Sequence, residues 1–448
     1  MRFSPDQCVG KKTVRERGVK EIRMSRILYH TISVCPECLR RIPATVEAME
    51  EHDGHIYMRK TCPDHGETRT LIWEDNAEGY LSWLSDGGMN PGTLPQSEEE
   101  AEIRLSESGF DRAAELQPCS SALMTTNRCN MNCPVCFTRN PKEGLYEPDL
   151  DEIGRLLDLY LEHCGKDALL ELCGGEPTTR RDLPVIVSMA RERGFTYIQV
   201  NSNGKRLAMS EDYCRELAQS GVTTVYLGFD GFDDKAYEAK YGENIFLYKD
   251  RAIENCGKAG IAVVLVPCVI PGANDDQLGA IIDYAAGKVP TVKGVYFQPM
   301  SYFGIYPRSS VSRITIPEVI RKIEAQTEGR VRQRDFLPGA YEAAACSFQA
   351  TYLVREDGKL SALTRRGKRA ASPEGYKKIR QSTKLLWLPG SRKVLFIGGM
   401  AFQDAGNIDL IRIRRCSVQI IGRDGRMIPL CSKFLTDAAG NKLHPGIS

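Results

Sequence analysis

Between residues 120 and 310 short apolar runs alternate with amphipathic stretches, and this alternation limits the fold more than any other feature of the chain. Residues 169–172 read as a short strand. Residues 183–193 read as a helix with Pro184 in its first turn, where a missing N–H is tolerated. Residues 196–200 form a strand running into Asn201-Ser202-Asn203-Gly204. A helix over 210–219 is closed by Gly221, a strand over 223–229 runs into Asp230-Gly231, and a helix over 248–259 is closed by Gly260. Residues 261–269 make a strong strand, Asn274-Asp275-Asp276 is expected to cap the next helix, and 294–298 is another strand. Repeated strand–helix units imply parallel strands with right-handed crossovers. About six such units suit an α/β fold built as a partial, TIM-like (β/α)6 barrel. Thr315 and Glu318 spell a capping box that opens a helix to about residue 325. After it, strands are expected near 348–354, 393–397 and 417–421, in a separate C-terminal module.

Composition removes several classes of function. The formal net charge of +2 over 448 residues gives no case for nucleic-acid binding. No apolar run approaches the ~18 residues of a transmembrane helix, and the start has no apolar signal segment. The cytoplasm is therefore the expected compartment. There the 16 cysteines point to metal ligation rather than disulfides. The expected organisation is a basic N-terminal extension over 1–28, a Cys/His metal-binding knuckle over 29–84 and a Gly/Pro/Ser/Glu-rich linker over 85–117. A barrel over 118–312 and a C-terminal helix with a further metal module over 313–448 complete it. The extension carries Lys11, Lys12, Arg15, Arg17, Lys20, Arg23 and Arg26. It reads as a tail without fixed structure or as residues upstream of a start at Met24, with peripheral contact to acidic lipid headgroups as the alternative.

The chemistry begins at Cys129, Cys133 and Cys136, spaced Cys-x3-Cys-x2-Cys just after a strand-like segment. An electron-carrying 4Fe–4S cluster normally takes four thiolates. Three thiolates leave one iron open, as a catalytic metal site requires; a zinc knuckle or a chance core cluster is the alternative. Gly174-Gly175-Glu176-Pro177-Thr178 follows the second strand, and paired glycines let a ligand approach the backbone closely. Asn201 and Asn203 follow the third strand and Asp230 the fourth, at the strand ends where α/β barrels place their sites. No Ser/His/Asp triad or carboxylate pair stands out.

Two further cysteine sets flank the barrel. Cys35, Cys38, Cys62 and His65 offer four ligands on two facing knuckles for one tetrahedral ion, zinc or a rubredoxin-like iron. Cys346, Cys416 and Cys431 read as ligands of an auxiliary 4Fe–4S cluster, with Cys119 as a fourth; three buried free thiols are the alternative. Cys173, Cys214, Cys256 and Cys268 have apolar neighbours and read as core.

From about residue 28 to 433 the chain resembles the radical S-adenosylmethionine (SAM) superfamily, in the branch of tetraether lipid synthase-like enzymes and class D methyltransferases for a reduced hydroxymethylpterin. The resemblance rests on Ser-Val-Cys-Pro-Glu-Cys-Leu-Arg-Arg-Ile-Pro at 33–43 and Lys-Thr-Cys-Pro-Asp-His-Gly at 60–66. It continues in the cysteine loop at 126–137, Gly-Gly-Glu-Pro-Thr, Val-Tyr-Leu-Gly-Phe-Asp-Gly at 225–231, Phe-Gln-Pro-Met-Ser at 297–301, and the tail around Cys416 and Cys431. It implies that Cys129, Cys133 and Cys136 hold a 4Fe–4S cluster whose open iron binds SAM. It further implies that Gly174, Gly175, Glu176 and Pro177 cradle the methionine amino group, that Asn201 and Asn203 belong to the pocket, that Asp230 contacts the ribose, and that Val135 packs by the adenine. The implied activity is reductive cleavage of SAM to a 5′-deoxyadenosyl radical, which takes hydrogen from an unactivated C–H bond. Methylation or C–C bond formation on a lipid or a pterin-like small molecule would follow, with ferredoxin or flavodoxin as reductant. A non-enzymatic iron–sulfur or zinc protein that carries electrons or binds a partner is the competing class. The chain departs from the family just before the cysteine loop, where a Gly-Cys-Pro-x-x-Cys-Gly-x-Cys segment is replaced and Cys119 alone stands, so one auxiliary cluster is expected to be missing. Val418-Gln419 stands where the family has a His-Tyr-like pair.

Overall fold

A computed structural model describes residues 25–107, 120–140, 142–306, 312–339, 342–366 and 393–443. The extension before residue 25, together with Cys8 and Cys119, lies outside them. The described chain begins with an antiparallel meander of four strands, β1 (Arg26–Val34), β2 (Arg41–Met49), β3 (His55–Cys62) and β4 (Gly66–Trp73). Its two knuckle turns lie at the same end of the sheet, after β1 and after β3. Helix α1 (Ala77–Asp86) follows, with Asn76 accepting from the Gly79 N–H as N-cap. The stretch expected to be a linker holds a second helix, α2 (Glu98–Glu107), whose Ala101 and Leu105 are buried against Ile32 of β1.

The barrel strands are β5 (Ser120–Thr126), β6 (Leu169–Gly174), β7 (Tyr197–Ser202), β8 (Thr224–Gly228), β9 (Ala262–Val266), the short β10 (Cys268–Val269) and β11 (Val292–Pro299). From β5 to β9 each pairs in parallel with the next, and β11 continues the sheet beside β9. Helices α3 (Leu150–Cys164), α4 (Leu183–Glu192), α5 (Lys205–Met209), α6 (Glu211–Ser220), α7 (Asp234–Tyr241), α8 (Phe246–Lys258) and α9 (Leu278–Gly287) make the crossovers. Leu170, Leu172, Ile198 and Val200 pack with α3 and α4 residues such as Leu156, Leu157, Ile186 and Val187 in one core. The alternate positions of the same strands therefore face the barrel interior. This is the partial barrel expected from the alternation.

Two capping expectations fail. Asn274 and Asp275 accept from Ile270 N and Gly272 N, so they close a turn, and Gln277 precedes α9 without a side-chain cap bond. Thr315 makes no cap bond to helix α10 (Ile316–Gln326); its hydroxyl is taken by Glu74 at the end of the N-terminal sheet (2.9 Å).

The C-terminal strands are not a separate layer. β14 (Val394–Met400) pairs in parallel with β11, and β15 (Val418–Ile421) in parallel with β5, so they extend the barrel sheet at both edges. β12 (Ser347–Val354) and β13 (Leu360–Ala362) continue beyond β14 in antiparallel fashion, and β16 (Met427–Pro429) continues beyond β15. No helix among the described residues is long and apolar enough to cross a membrane.

Candidate active site

Cys129, Cys133 and Cys136 lie on the loop after β5. Their loop is fixed from two sides. Cys136 exchanges both backbone hydrogen bonds with Ile305 (2.9 Å each), and a Cβ on Gly304 would sit 2.4 Å from the Cys136 carbonyl oxygen. On the other side Gly175 N donates to Thr126 O and Glu176 N to Arg128 O, each at 2.8 Å. A Cβ at Gly174 would fall 1.9 Å from Thr126 O, and one at Gly175 would fall 2.2 Å from Arg128 O. These glycines thus admit the backbone of the cysteine loop itself, as well as lining the cavity.

Glu176 is buried and ties the strand-end loops after β6 and β7 together. Its Oε1 accepts from Thr178 Oγ1 (2.6 Å) and Ser202 Oγ (2.8 Å), and its Oε2 accepts from Asn203 N (2.6 Å). Burial raises its pKa against these donors. Asn203 in turn donates from Nδ2 to Asn130 Oδ1 in the cysteine loop (2.7 Å).

All three cysteines, with Val135, Gly174, Gly175, Glu176, Asn201 and Asn203, line one cavity of about 350 Å³. Pro177 is buried at the start of a 3-10 turn outside that lining. Asp230 also lies outside it: Oδ1 accepts from Cys268 N (2.6 Å), and Oδ2 is buried without a hydrogen-bond partner. Burial raises the Asp230 pKa while Lys240 and Lys249 oppose the shift. Val135 is buried against Met300 and Tyr302. Cys173 is buried in an apolar cluster with Ala122, Met124 and Phe303, as expected, and also borders the cavity, whereas Cys268, expected in the core, is half-buried in the cavity wall. Cys214 and Cys256 are core, as expected, and Cys164 is buried beside Ser121 Oγ (3.4 Å).

Burial pushes the Cys129 thiol up to about 12 and also raises Cys133, with Lys240 and Lys249 pulling Cys133 back. Such thiols stay neutral until a metal takes their protons. Two cations stand ready for the resulting negative charge. Lys240 Nζ donates to Val135 O (2.9 Å), and fully buried Lys249 donates to Asn203 O (2.7 Å). The donor set and the open cavity beside it fit a cubane cluster with a ligand on its free iron.

The two flanking cysteine sets differ in spread. The ligand atoms of Cys35, Cys38, Cys62 and His65 all lie within 4.8 Å of one another, the compactness of a mononuclear site. His65 Nδ1 is 3.4 Å from Cys62 Sγ and holds that thiol down to about 6. Neither Cys129, Cys133 and Cys136 nor Cys346, Cys416 and Cys431 form so tight a group. Cys346 ends a 3-10 turn, Cys416 Sγ is 3.3 Å from Val418 O, and Cys431 Sγ accepts from Gln403 N (3.3 Å). Burial raises all three, and each of Cys346 and Cys416 raises Cys431 further, so they share one neighbourhood beside Arg412.

Sequence reasoning missed Lys240, Lys249 and a polar and aromatic inner wall that includes Glu171, Tyr226, Tyr296 and Glu342. Glu171 alone carried a signal, a charge inside the apolar run Leu-Leu-Glu-Leu-Cys.

A strand-end cysteine loop locked to a Gly-Gly-Glu-Pro turn above a partial barrel defines a radical SAM enzyme. Residues 123–285 match the model of the radical SAM superfamily, and residues 27–74 match the HMPTM N-terminal zinc ribbon domain. The 7,8-dihydro-6-hydroxymethylpterin dimethyltransferase of Methanocaldococcus jannaschii is 32% identical over 90% of this chain and 92% of its own length. The chain belongs to the radical SAM family of that dimethyltransferase. The GTP 3′,8-cyclase of Bradyrhizobium diazoefficiens is 29% identical over 40% of this chain and 52% of its own. Among solved structures, SuiB of Streptococcus suis bound to S-adenosylmethionine aligns with 61% of this chain and 66% of its own, at 14% identity and a TM-score of 0.40. Membership brings a 4Fe–4S cluster and SAM as cofactors, a requirement for a reductant, and an additional metal site in the ribbon. The electron-carrier reading falls away.

Proposed function

We propose that this chain methylates, or forms a C–C bond at, an unactivated carbon of a pterin-like small molecule. Cys129, Cys133 and Cys136 would hold the 4Fe–4S cluster, and Gly174, Gly175, Glu176, Pro177, Asn201, Asn203, Val135 and Asp230 would bind or support SAM. The observation that carries the reading is one cavity that begins at the three cysteines and continues over polar and aromatic side chains. When bound, the reduced cluster and SAM supply a 5′-deoxyadenosyl radical. The chain's own residues orient and shield it. Lys240 and Lys249 balance thiolate charge, and Glu176 holds the loops in register.

On the same reading, Cys346, Cys416 and Cys431 hold an auxiliary 4Fe–4S cluster, with Cys119 available as a further ligand. The ribbon holds zinc or a rubredoxin-like iron. A ferredoxin or flavodoxin supplies electrons, and the enzyme works in the cytoplasm. SAM cleaved to 5′-deoxyadenosine keeps its methyl group in methionine, so the methyl must come from a second SAM molecule or another one-carbon donor. Reconstituted protein with dithionite, excess SAM, an added one-carbon donor and 6-hydroxymethyl-7,8-dihydropterin is expected to give 5′-deoxyadenosine, methionine and a methylated pterin by mass spectrometry. Intact, reduced cluster without 5′-deoxyadenosine defeats the assignment of the radical site, and 5′-deoxyadenosine with unaltered pterin defeats the substrate. Replacing all three loop cysteines by Ala is expected to remove one cluster's iron and leave the rest.

A further inference from the structure

Barrel interiors are ordinarily filled by branched aliphatic side chains. Here β6 turns Leu169, Glu171 and Cys173 into the cavity, while Leu170 and Leu172 are fully buried on the helix side. A carboxylate inside a barrel is costly unless polar partners meet it. Asn201 on β7 supplies one: its Nδ2 donates to Glu171 Oε2 (3.3 Å). Gln199, fully buried on the same strand, donates from Nε2 to Asn201 Oδ1 (2.7 Å) and so fixes which end of the Asn201 amide faces the carboxylate.

Opposite stands a row of rings. Tyr226 on β8 is the registered neighbour of Asn201; its ring centroid lies 5.9 Å from that of Tyr296 on β11. Tyr296 stacks on Phe396 of β14 at 6.3 Å and 13°, and its hydroxyl reaches Glu342 Oε1 at 3.4 Å. A carboxylate with a supporting amide beside flat aromatic faces suits a planar heterocycle that has two adjacent donors on one edge. A pterin has them, the ring N–H and the 2-amino group, and a carboxylate accepts such a pair with both oxygens, as it does from arginine. Glu171 lies three residues below Gly174 on β6, roughly 10 Å at the strand rise of about 3.3 Å per residue. A bicyclic ring anchored at that depth presents its far substituent to the cysteine end of the cavity.

We propose that Glu171, positioned by Asn201 and Gln199, is the specificity-determining residue that reads the amino-pyrimidinone edge of the substrate ring. This rests on the pterin reading above and names the anchor within it. The test is binding to the reconstituted holoenzyme with SAM and no reductant, so that no turnover is needed. The probes are 6-hydroxymethyl-7,8-dihydropterin and its 2-oxo counterpart, which lacks the amino donor. Wild type is expected to bind the pterin at least tenfold more tightly than the oxo compound. Glu171→Gln is expected to weaken the pterin about 10- to 100-fold and to bring the two probes close together. If wild type binds neither probe, the pterin reading itself fails. If wild type binds both equally, or Glu171→Gln keeps the wild-type preference, the pterin reading stands and the anchor is overturned. The wild-type comparison can overturn the anchor even where the variant does not fold.

Discussion

A single methyl group at position 175 would lie 2.2 Å from the Arg128 carbonyl oxygen, closer than any atoms can stay. Gly175→Ala must therefore part the Gly-Gly-Glu-Pro turn from the cysteine loop and break two 2.8 Å backbone bonds. It is expected to lower stability by about 2 kcal/mol or more and to reduce the iron bound on reconstitution. Urea midpoints and iron counts check this. Buried Lys249 gives a pH signature. Burial lowers its pKa to about 8 from 10.5, so between those values the unfolded chain binds more protons than the folded one. The contribution of Lys249 itself is then expected to rise as pH increases from about 8 to 10.5, by up to roughly 3 kcal/mol, against the falling contribution of the buried thiols, and it is read as the difference between wild type and variant. Lys249→Met should flatten that slope in melts run across the range. The glycine pair was legible in the sequence because a motif of adjacent residues carries it. Lys249 was not, since nothing local separates a buried lysine on a helix from an exposed one.

At the scale of elements, strand ends hold the site and strand phase decides what faces it. Glu176 joins the loops after β6 and β7 through donors at Thr178, Ser202 and Asn203. Glu176→Gln puts an NH2 where an N–H or O–H must donate. It is expected to cost roughly 2–3 kcal/mol in folding and to weaken SAM at least tenfold in equilibrium dialysis. The strands themselves were readable from apolar runs and closing glycines. Their inward residues were not, because strands covered on both faces lose the polar–apolar alternation that reveals phase. Cys268 therefore looked like core, although it is half-buried and faces the cavity. Thr315 shows the converse: a good capping sequence lost its hydroxyl to Glu74, a partner no local pattern announces.

Across the whole molecule the ribbon is braced against the turn at 405–409 that follows β14. Thr31 donates to Asp409 (2.7 Å), Ser33 to Ile408 O (2.6 Å), and Lys60 to Ala405 O (2.6 Å), while Val34 packs with Cys431. Cys62→Ser is expected to lose the ribbon metal, keep the iron of the barrel loop, and loosen the segment around Cys416 and Cys431. Metal analysis and hydrogen exchange would show it. The four ribbon ligands were legible from spacing alone; their bracing was not, because it joins residues more than 340 positions apart. Sequence distance also separates the barrel from its own edges: Ser120 of β5 pairs with Val418, 298 positions on, and Gly294 of β11 with Phe396, 102 positions on. β5 finds its outer neighbour β15 only when residues 418–421 are present, and β11 finds β14 only at 394–400. A ribosome therefore releases β5 to β11 with both flanks unpaired, open to other chains until residues 394–400 and 418–421 emerge. Yield in the soluble fraction is expected to rise when chaperones are co-expressed.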